Sequence, residues 1–271
     1  MEAGHTFLAR LGKTRLRPGG RLATEWLFRQ GKLAPGMKVL EVACNMGTTS
    51  LEMARRFGCS VTACDLNEEA LSRARENQAL HPAAPAVSFR KEDALHLSFS
   101  DNTFDVVINE AMLTMLPAPA KEQAVKEYLR VLKPGGLLLT HDIVLKDLTP
   151  AEIRDLTGEL GRAIHITPLP YTEDGWRALF RDAGFAGTET YTGAMTLLSL
   201  PGLLRDEGWM RTLQILRRGM QRENRAAFLG MRRVFSKWHS HMGFIASVSR
   251  KPAASPVSEK QRTAKKEKTA V

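Results

Sequence analysis

Apolar and polar positions alternate along this chain with two different periods. Short apolar runs predict buried β-strands, and segments with apolar residues three or four apart predict amphipathic helices. The predicted strands cover residues 38–42, 60–64, 86–90, 104–108, 136–141, 185–190 and 243–249. The predicted helices cover residues 50–57, 68–81, 121–132, 147–162 and 172–183. This alternation predicts an α/β fold with a Rossmann-like, mostly parallel sheet of seven strands and helices on both faces.

A helical insertion separates the last two predicted strands. Residues 194–241 contain two apolar stripes at helical spacing, namely Trp209, Leu213, Leu216 and Met220, then Phe228, Met231, Phe235 and Trp238. The insertion is either a helical pair that packs on the domain with its arginines in solvent, or a lid over a substrate. A lid predicts that the stripes line a cavity that Asn109, Glu110 and His141 approach from below.

The length of 271 residues suits one large domain, which we place at residues 1–250. The net charge of +10 is concentrated near the end, since residues 205–271 hold 16 Lys and Arg against 5 Asp and Glu. Residues 251–271 lack large apolar side chains other than valine and are predicted to be a disordered basic tail.

Composition also indicates where the protein resides and whether it binds a metal. No apolar run approaches the roughly 18 residues that a membrane span needs. The three cysteines fit neither a disulfide framework nor a metal motif. We therefore expect reduced thiols in a cytoplasmic protein without a bound metal.

The stretch VLEVACNMGTTS predicts a strand, a tight turn and a helix start, as in nucleotide-binding folds. The glycines of a GxGxxG loop would fall on Ala43, Asn45 and Thr48, and none of these is glycine. No Lys or Arg lies between Lys38 and Arg55 to meet a pyrophosphate. A nicotinamide cofactor is therefore disfavoured.

Acidic residues lie at the ends of the first two strands instead. Glu41 ends the first strand, and Asp65 follows 24 residues later at the end of the second. A carboxylate at the second position can accept hydrogen bonds from two neighbouring ribose hydroxyls. The two acids suit a ligand with an amino group, a sulfonium charge and a ribose.

Four segments over residues 39–142 resemble the class I S-adenosylmethionine-dependent methyltransferases. VLEVACNMG is similar to the first motif of that family, CDLN to its ribose-binding segment, EDALHLSFSDNTFDVVINEAML to its adenine loop and fourth strand, and EYLRVLKPGGLLLTHD to the approach to its fifth strand. A fifth segment, YTEDGWRALFRDAGF, resembles the helix before the sixth strand in the branch of quinone-biosynthesis C-methyltransferases. Two glycines of the first motif are replaced, by Ala43 and Asn45.

The resemblance implies S-adenosyl-L-methionine as cofactor and a set of binding residues. By carry-over, the methionine part would lie on the loop after the first strand, the ribose on the end of the second, and the adenine after the third. The residues are Glu41, Ala43, Cys44, Asn45, Gly47, Asp65, Leu66, Asp93, Ala94 and Asn109. It also implies a helical cap at residues 1–36 that closes over the cofactor. Arg15 and Arg17 of this segment either meet an anionic substrate or face solvent.

Methyl transfer from a sulfonium mainly requires alignment of the two partners, so a universal catalytic residue is unnecessary. An acceptor group that must lose a proton needs a general base. His141 and Asp142, just past the fifth predicted strand, are the best-placed residues for this role, and Glu110 is a second candidate. The alternative for His141 is a strand-end histidine that is bonded to backbone or water.

These features predict a methyltransferase that acts on an O, N, S or C atom of a small organic molecule. The alternative is an RNA or protein methyltransferase that uses the basic C-terminal quarter as an anchor for a polyanion. No separate RNA-binding module is visible, which disfavours nucleic acid as the partner.

Overall fold

The computed structural model describes residues 2–80 and 87–254. One sheet with the strand order β3-β2-β1-β4-β5-β8-β7 forms its centre, and β6 pairs with β5 beside that path. The strands are β1 (Lys38–Val42), β2 (Ser60–Asp65), β3 (Val87–Lys91), β4 (Phe104–Glu110), β5 (Leu132–Leu145), β6 (Tyr171–Thr172), β7 (Thr188–Ala194) and β8 (Met242–Arg250). Strand β8 is antiparallel to both of its neighbours, β5 and β7, and the other pairs among the described strands are parallel. The predicted α/β fold is confirmed.

The helices are α1 (Gly4–Leu11), α2 (Gly20–Gly31), α3 (Thr48–Phe57), α4 (Glu68–Ala79), α5 (Ala118–Val131), α6 (Pro150–Ile164), α7 (Glu173–Ala183), α8 (Leu200–Gly219) and α9 (Arg225–Lys237). Their starts follow capping chemistry. Thr149 and Glu152 form a capping box at α6, and the Thr172 side chain accepts from the Gly175 amide at α7. Helix α6 therefore begins three residues later than predicted.

The count of seven strands differs from the structure by one short element. Strand β6 has two residues, which is too short for any periodic pattern, and it forms where Tyr171 and Thr172 pair with the end of β5. Residue 86, where the third strand was predicted to begin, lies outside the described residues, and so does residue 81 of the predicted second helix.

Strands β4 and β5 extend beyond their predicted ends, and this changes where the candidate catalytic residues lie. Strand β5 continues to Leu145 because β8 pairs with it antiparallel as far as Met242. His141 and Asp142 were predicted just past the strand and instead lie inside it, between β4 and β8. Asn109 likewise lies within β4.

Helices cover both faces of the sheet. Helices α2 and α3 contribute Leu27, Phe28 and Met53 to the apolar core on one face. Helices α5 and α7 contribute Tyr128 and Trp176 to the core on the other. The strand order reverses between β1 and β4, where open α/β sheets bind their ligands beyond the carboxyl ends of the strands.

The insertion and the N-terminal helix pack together in two smaller apolar clusters. Leu8 of α1, Ile215 of α8 and Met231 of α9 share one cluster. The other joins Leu160 of α6 to Trp238 after α9 and to residues near the end of β5, such as Leu145. In the described part of the chain, no helix is long and apolar enough to cross a membrane.

The end of the described chain is anchored to the sheet. The Lys251 ammonium donates to the Leu132 carbonyl at 2.7 Å and to Asn102 at 2.9 Å. Residues 255–271, which make up most of the predicted disordered tail, lie outside the described residues.

Candidate active site

The loop after β1 has a left-handed backbone at every second residue. The φ angle is 59° at Ala43, 49° at Asn45 and 71° at Gly47. These are the positions at which the resembled motif carries glycine, so the turn forms although two glycines are replaced. Asparagine tolerates this region better than most residues. The methyl group of an alanine costs about 1–2 kcal/mol there.

Gly47 is the position where a glycine is required. A Cβ atom on Gly47 would lie 2.7 Å from the ring of Phe89, and the residue is also the left-handed N-cap of α3. A side chain here would have to displace the Phe89 ring and adopt a strained left-handed backbone. The loop thus keeps its one glycine where both space and conformation demand it.

Replacing Ala43 with glycine should stabilise the fold by about 0.5–1 kcal/mol. Relief of left-handed strain outweighs the greater backbone entropy of glycine in the unfolded chain, which is about 0.5–1 kcal/mol. Urea denaturation measures the change. Ala178→Gly in the middle of α7 is the matched control and should destabilise by about 1 kcal/mol. Equal losses in both variants would show that Ala43 is not strained.

Two carboxylates lie at the carboxyl ends of β1 and β2. Asp65 accepts from the Asn45 amide on one oxygen and from the Asn67 amide on the other, both at 2.9 Å. Glu41 is buried and accepts a hydrogen bond from the Ser50 hydroxyl. Burial raises the pKa of Glu41 to about 7. Asp65 therefore ties the loop to β2 while it borders the same cavity as Glu41.

A cavity of about 340 Å³ opens above these strand ends. Its first half is formed by Glu41, the loop after β1 and Asp65, with Asn67 and Ala70 of the next loop and α4. Its second half is predominantly apolar. That half is lined by Leu8, Leu16, Met112, Met115, Leu116, Ile143, Leu160, Ile164, Ile166, Met195, Leu197, Met231 and Phe235. One polar and one apolar half suit a nucleoside cofactor beside an organic substrate.

The predicted cofactor residues divide into two groups. Those that line the cavity are Glu41, Ala43, Cys44, Asn45 and Asp65. Those that lie outside it are Gly47, Leu66, Asp93, Ala94 and Asn109. The Cys44 thiol has a pKa raised by burial, so it is not a reactive thiolate near neutral pH.

The residues outside the cavity have other contacts or are exposed. Leu66 is 63% exposed beside the cavity. Asp93 accepts from the Leu95 amide in a turn on the surface. Asn109 is buried and donates to the Thr140 hydroxyl within the sheet.

Glu110 borders the cavity but its carboxylate is already engaged. One oxygen accepts from the Thr24 hydroxyl at 2.6 Å and lies 3.1 Å from the ring of His141. The other accepts from the Thr49 hydroxyl at 2.8 Å and pairs with the Arg17 guanidinium. With four polar neighbours, this carboxylate is built to hold the N-terminal segment on the sheet and is poorly placed to accept a substrate proton.

His141 and Asp142 do not border the cavity. Nε2 of His141 accepts from the Gly19 amide at 2.9 Å, so the ring proton resides on Nδ1 and is donated toward the carboxylate described above. Burial holds the pKa of His141 well below its usual range, so the ring is neutral and its one lone pair is used. Asp142 is buried and accepts from the amides of Thr114 and Ile143. His141 and Asp142, which were predicted to act as the general base, thus lack direct access to a substrate.

No feature of the sequence singled out His5, which the structure places on the cavity wall. Burial lowers the pKa of His5 and the Asp65 carboxylate raises it, with burial the larger effect. A neutral imidazole at this position can accept a proton from an acidic acceptor group. No sequence pattern could have found it, because helix α1 reaches the cavity only through tertiary packing.

Arg15 and Arg17 of the N-terminal segment have different surroundings. Arg15 pairs with Glu52 at 3.0 Å. Arg17 borders the cavity and is buried, and burial lowers its pKa to about 10. Its Nε and Nη2 atoms have no hydrogen-bond acceptor among the described residues. Two unused donors that are buried at a cavity fit a carboxylate or another oxygen group of a bound molecule.

The insertion contributes to the cavity, but through fewer residues than predicted. Met231 and Phe235 of α9 line it, together with Met195 and Leu197 before α8. Phe228 and Trp238 are buried in neighbouring clusters, and Trp209 and Leu213 are exposed on the surface. In the second stripe, Met231 and Phe235 therefore line the cavity, and Phe228 and Trp238 pack within the protein. In the first stripe, Trp209 and Leu213 face solvent.

Known proteins resemble this chain in sequence and fold. Residues 39–136 match the model of a methyltransferase domain. An uncharacterised protein of Haemophilus influenzae is 47% identical over 92% of this chain and 98% of its own length. The 2-methyl-6-phytyl-1,4-hydroquinone methyltransferase of Synechocystis is 30% identical over 66% of this chain and 58% of its own length. The structure of phosphoethanolamine N-methyltransferase 2 from Haemonchus contortus with S-adenosyl-L-methionine has a TM-score of 0.70 at 17% identity, covering 92% of this chain and 56% of that one.

Fold, cavity and matches together define a class I methyltransferase. The chain belongs to the S-adenosyl-L-methionine-dependent methyltransferases. It spans little more than half the length of the hydroquinone relative. The family match and the relatives confirm the resemblance to class I methyltransferases that the sequence showed.

The residues present fit S-adenosyl-L-methionine. Asp65 and Glu41 both border the cavity, where their carboxylates would suit ribose hydroxyls and an amino group, respectively. The unused donors of Arg17 suit the carboxylate of the methionine part. The left-handed turn from Ala43 to Gly47 allows the ligand to lie close to the backbone.

Proposed function

We propose that this methyltransferase acts on an apolar, lipid-soluble organic molecule of the hydroquinone class. The observation that carries the proposal is the apolar half of the cavity, which is lined from α6, α9 and the segments after β4 and β7. Met112, Met115, Ile164, Met231 and Phe235 offer dispersion contacts and few hydrogen bonds. A charged amine or a phosphate would lose its hydration there without compensation.

The cofactor supplies an activated methyl group on a sulfonium when it is bound. The work left to the protein is alignment of the acceptor and exclusion of water, and alignment alone can contribute about 7–11 kcal/mol. Phe235 and Met231 of α9 line the cavity wall on the side of the insertion and are suited to hold a ring in place. His5 borders the same cavity and can take a proton from a phenolic acceptor.

The relative from Synechocystis supports the hydroquinone class, because its name states such a substrate and the match covers 66% of this chain. Methyl transfer to RNA or protein is the alternative, and the exposed arginines of the insertion favour it. The apolar walls oppose it, because a nucleotide or a charged peptide side chain would meet methionines and isoleucines there.

Transfer of a radiolabelled methyl group tests the proposal. We expect label in a short-chain hydroquinone and none in phosphoethanolamine, RNA or protein acceptors. Phe235→Ala should lower turnover roughly 10- to 100-fold, because a misplaced acceptor loses alignment. Cofactor affinity measured by calorimetry should change less than about twofold, since Phe235 lies in the apolar half.

Trp209→Ala is the matched control, because this aromatic residue belongs to the same insertion and is 70% exposed. Its turnover of the soluble hydroquinone should equal that of the unmodified protein. Label in RNA or protein would support the alternative. Transfer to polar amines alone would contradict an apolar substrate.

A further inference from the structure

One face of helix α8 exposes large apolar side chains to solvent. Trp209 is 70% exposed, Met210 68% and Leu213 61%. The exposed stripe continues to Met220 near the end of the helix. Side chains of this size normally find cover within the protein. Residues 209, 213 and 220 lie on one side of the helix because they follow helical spacing, and Leu216 between them is partly buried.

The helix is fixed so that this face must point outward. Its opposite face, with Thr212, Ile215 and Gly219, is buried. A Cβ atom on Gly219 would lie 2.8 Å from the Phe228 ring of α9, so α8 and α9 are in close contact there. Gly208 interrupts the helix with a φ of 75°, which sets the orientation of the turn that begins at Trp209. The exposure is therefore a property of the packed fold.

The acidic and basic side chains of α8 have different surroundings: the acidic ones are buried and most of the basic ones are exposed. Asp206 and Glu207 turn inward, where both lie 3.6 Å from the Lys13 ammonium, and their side chains are at most 1% exposed. Glu207 also accepts from the Thr14 and Arg15 amides. Helices α8 and α9 and the turn between them expose a series of basic residues, namely Arg205, Arg211, Arg217, Arg222, Arg225, Arg232, Arg233 and Lys237. Among residues 200–237, Glu223 is the acidic residue left exposed.

We propose that this face of α8 docks on the surface of an anionic lipid bilayer. Trp209, Met210 and Leu213 would enter the boundary between headgroups and acyl chains, and the arginines would contact lipid phosphates. Aromatic and aliphatic side chains on one face with arginines beside them are the composition of interfacial helices. Tryptophan is suited to this boundary because its ring is apolar and its N–H is polar.

Charge favours the bilayer over other occupants of this face. A second copy of the chain would bring its own arginines against these and be repelled. An RNA would engage the arginines but offers no apolar phase for Met210 and Leu213. The anionic surface of a membrane satisfies both kinds of side chain at once.

Docking would bring a lipid-soluble substrate near the cavity, because α8 packs on α9 and α9 lines that cavity through Met231 and Phe235. This step rests on the proposed function. The docking itself does not, and it is measured without cofactor or substrate. Failure of one is therefore distinguishable from failure of the other.

Flotation of the full chain with vesicles tests the proposal. We expect binding to vesicles of phosphatidylcholine with about one third phosphatidylglycerol, and at least tenfold weaker binding to phosphatidylcholine alone. The variant Trp209→Ser/Met210→Ser/Leu213→Ser should bind at least about tenfold more weakly, since each buried apolar side chain is worth roughly that factor. Leu80→Ser, at a leucine that is 75% exposed on the end of α4, is the matched control and should bind normally.

Tryptophan fluorescence separates docking by α8 from attraction of the basic residues 255–271. The emission should shift to the blue on anionic vesicles, and Trp209→Phe should abolish the shift. A chain that ends at Ala254 should keep the shift. Circular dichroism establishes that each variant is folded.

Three results would overturn the proposal. The triple serine variant could bind vesicles as well as the unmodified chain. The chain that ends at Ala254 could lose binding, which would assign it to the tail. The unmodified chain could form a dimer that the triple variant does not form and show no binding to vesicles, which would assign this face to self-association.

Discussion

Replacing Glu110 with glutamine should lower the free energy of unfolding by about 3–5 kcal/mol. Glu110 and Arg17 form an ion pair whose side chains are 5% and 7% exposed. Glutamine leaves the guanidinium buried without its counter-charge, and removal of one partner from a buried pair costs about that amount. Two nitrogens of Arg17 have no hydrogen-bond acceptor among the described residues, so the pair with Glu110 is the main compensation for burial of the guanidinium.

A double-mutant cycle identifies the cause of this loss. The variant Arg17→Met/Glu110→Gln removes both charges, so it should recover part of the stability lost in Glu110→Gln alone. Urea denaturation gives the values. Glu25→Gln breaks the partly exposed pair of Glu25 with Arg56 and serves as the control, with an expected loss below about 1 kcal/mol. A Glu110→Gln protein as stable as the original would contradict the ionic role of this pair.

This cluster attaches the N-terminal segment to the active edge of the sheet. Arg17 and Thr24 contact Glu110, and the Gly19 amide donates to His141. Residues 1–36 were predicted from the resemblance to close over the cofactor. Leu8, Leu16, Arg17 and other residues of this segment border the cavity, so loosening the pair should also disturb the site.

The central strands β1, β4 and β5 could be predicted from the sequence because they are largely buried and contain near-continuous apolar runs. Strand ends were less certain, since an apolar run does not show where its neighbour stops. Strand β5 continues through His141 and Asp142 because β8 supplies partners for those residues. The predicted strand ended four residues before β5 does. His141 and Asp142 were therefore placed at the end of the strand, where a substrate would bind.

The cofactor half of the cavity follows from local sequence, because one loop and the next strand end supply it. Asp65 and the residues after β1 come together wherever parallel strands β1 and β2 pair. The substrate half combines α1, α6, α9 and the segments after β4 and β7. Those contacts depend on packing such as that of Gly4 on Ile164, where an added Cβ atom would lie 2.8 Å away. No periodic pattern encodes such a contact, so His5 could not be identified.

The outer stripe of α8 shows the limit of a helical pattern as a predictor. Trp209, Leu213 and Met220 have the spacing of a buried face, and the sequence therefore suggested that they either pack on the domain or line a cavity. In the structure Thr212, Ile215 and Gly219 face inward instead. Periodicity identifies residues on one side of a helix, but it does not show whether protein or another apolar phase covers that side.

Asp65→Ala should weaken binding of S-adenosyl-L-methionine about 10- to 150-fold in calorimetry. A hydrogen bond to a charged group contributes about 1.5–3 kcal/mol, and the family resemblance implies that the carboxylate of Asp65 would accept from the ribose. The structure adds a second cause. Asp65 also accepts from the amides of Asn45 and Asn67, so alanine removes a tie between the cofactor loop and β2.

The two causes can be separated by a conservative change. Asp65→Asn keeps one carbonyl acceptor for the loop amides and removes the charge, so its affinity should lie between those of the original protein and the alanine variant. Glu68→Ala, three residues away on the exposed start of α4, controls for loss of negative charge near the site and should bind normally. Melting curves measured without cofactor report the tie to the loop by itself. Unchanged affinity in Asp65→Ala would remove this carboxylate from the cofactor site, and the ribose would then have to be bound by other groups of the cavity.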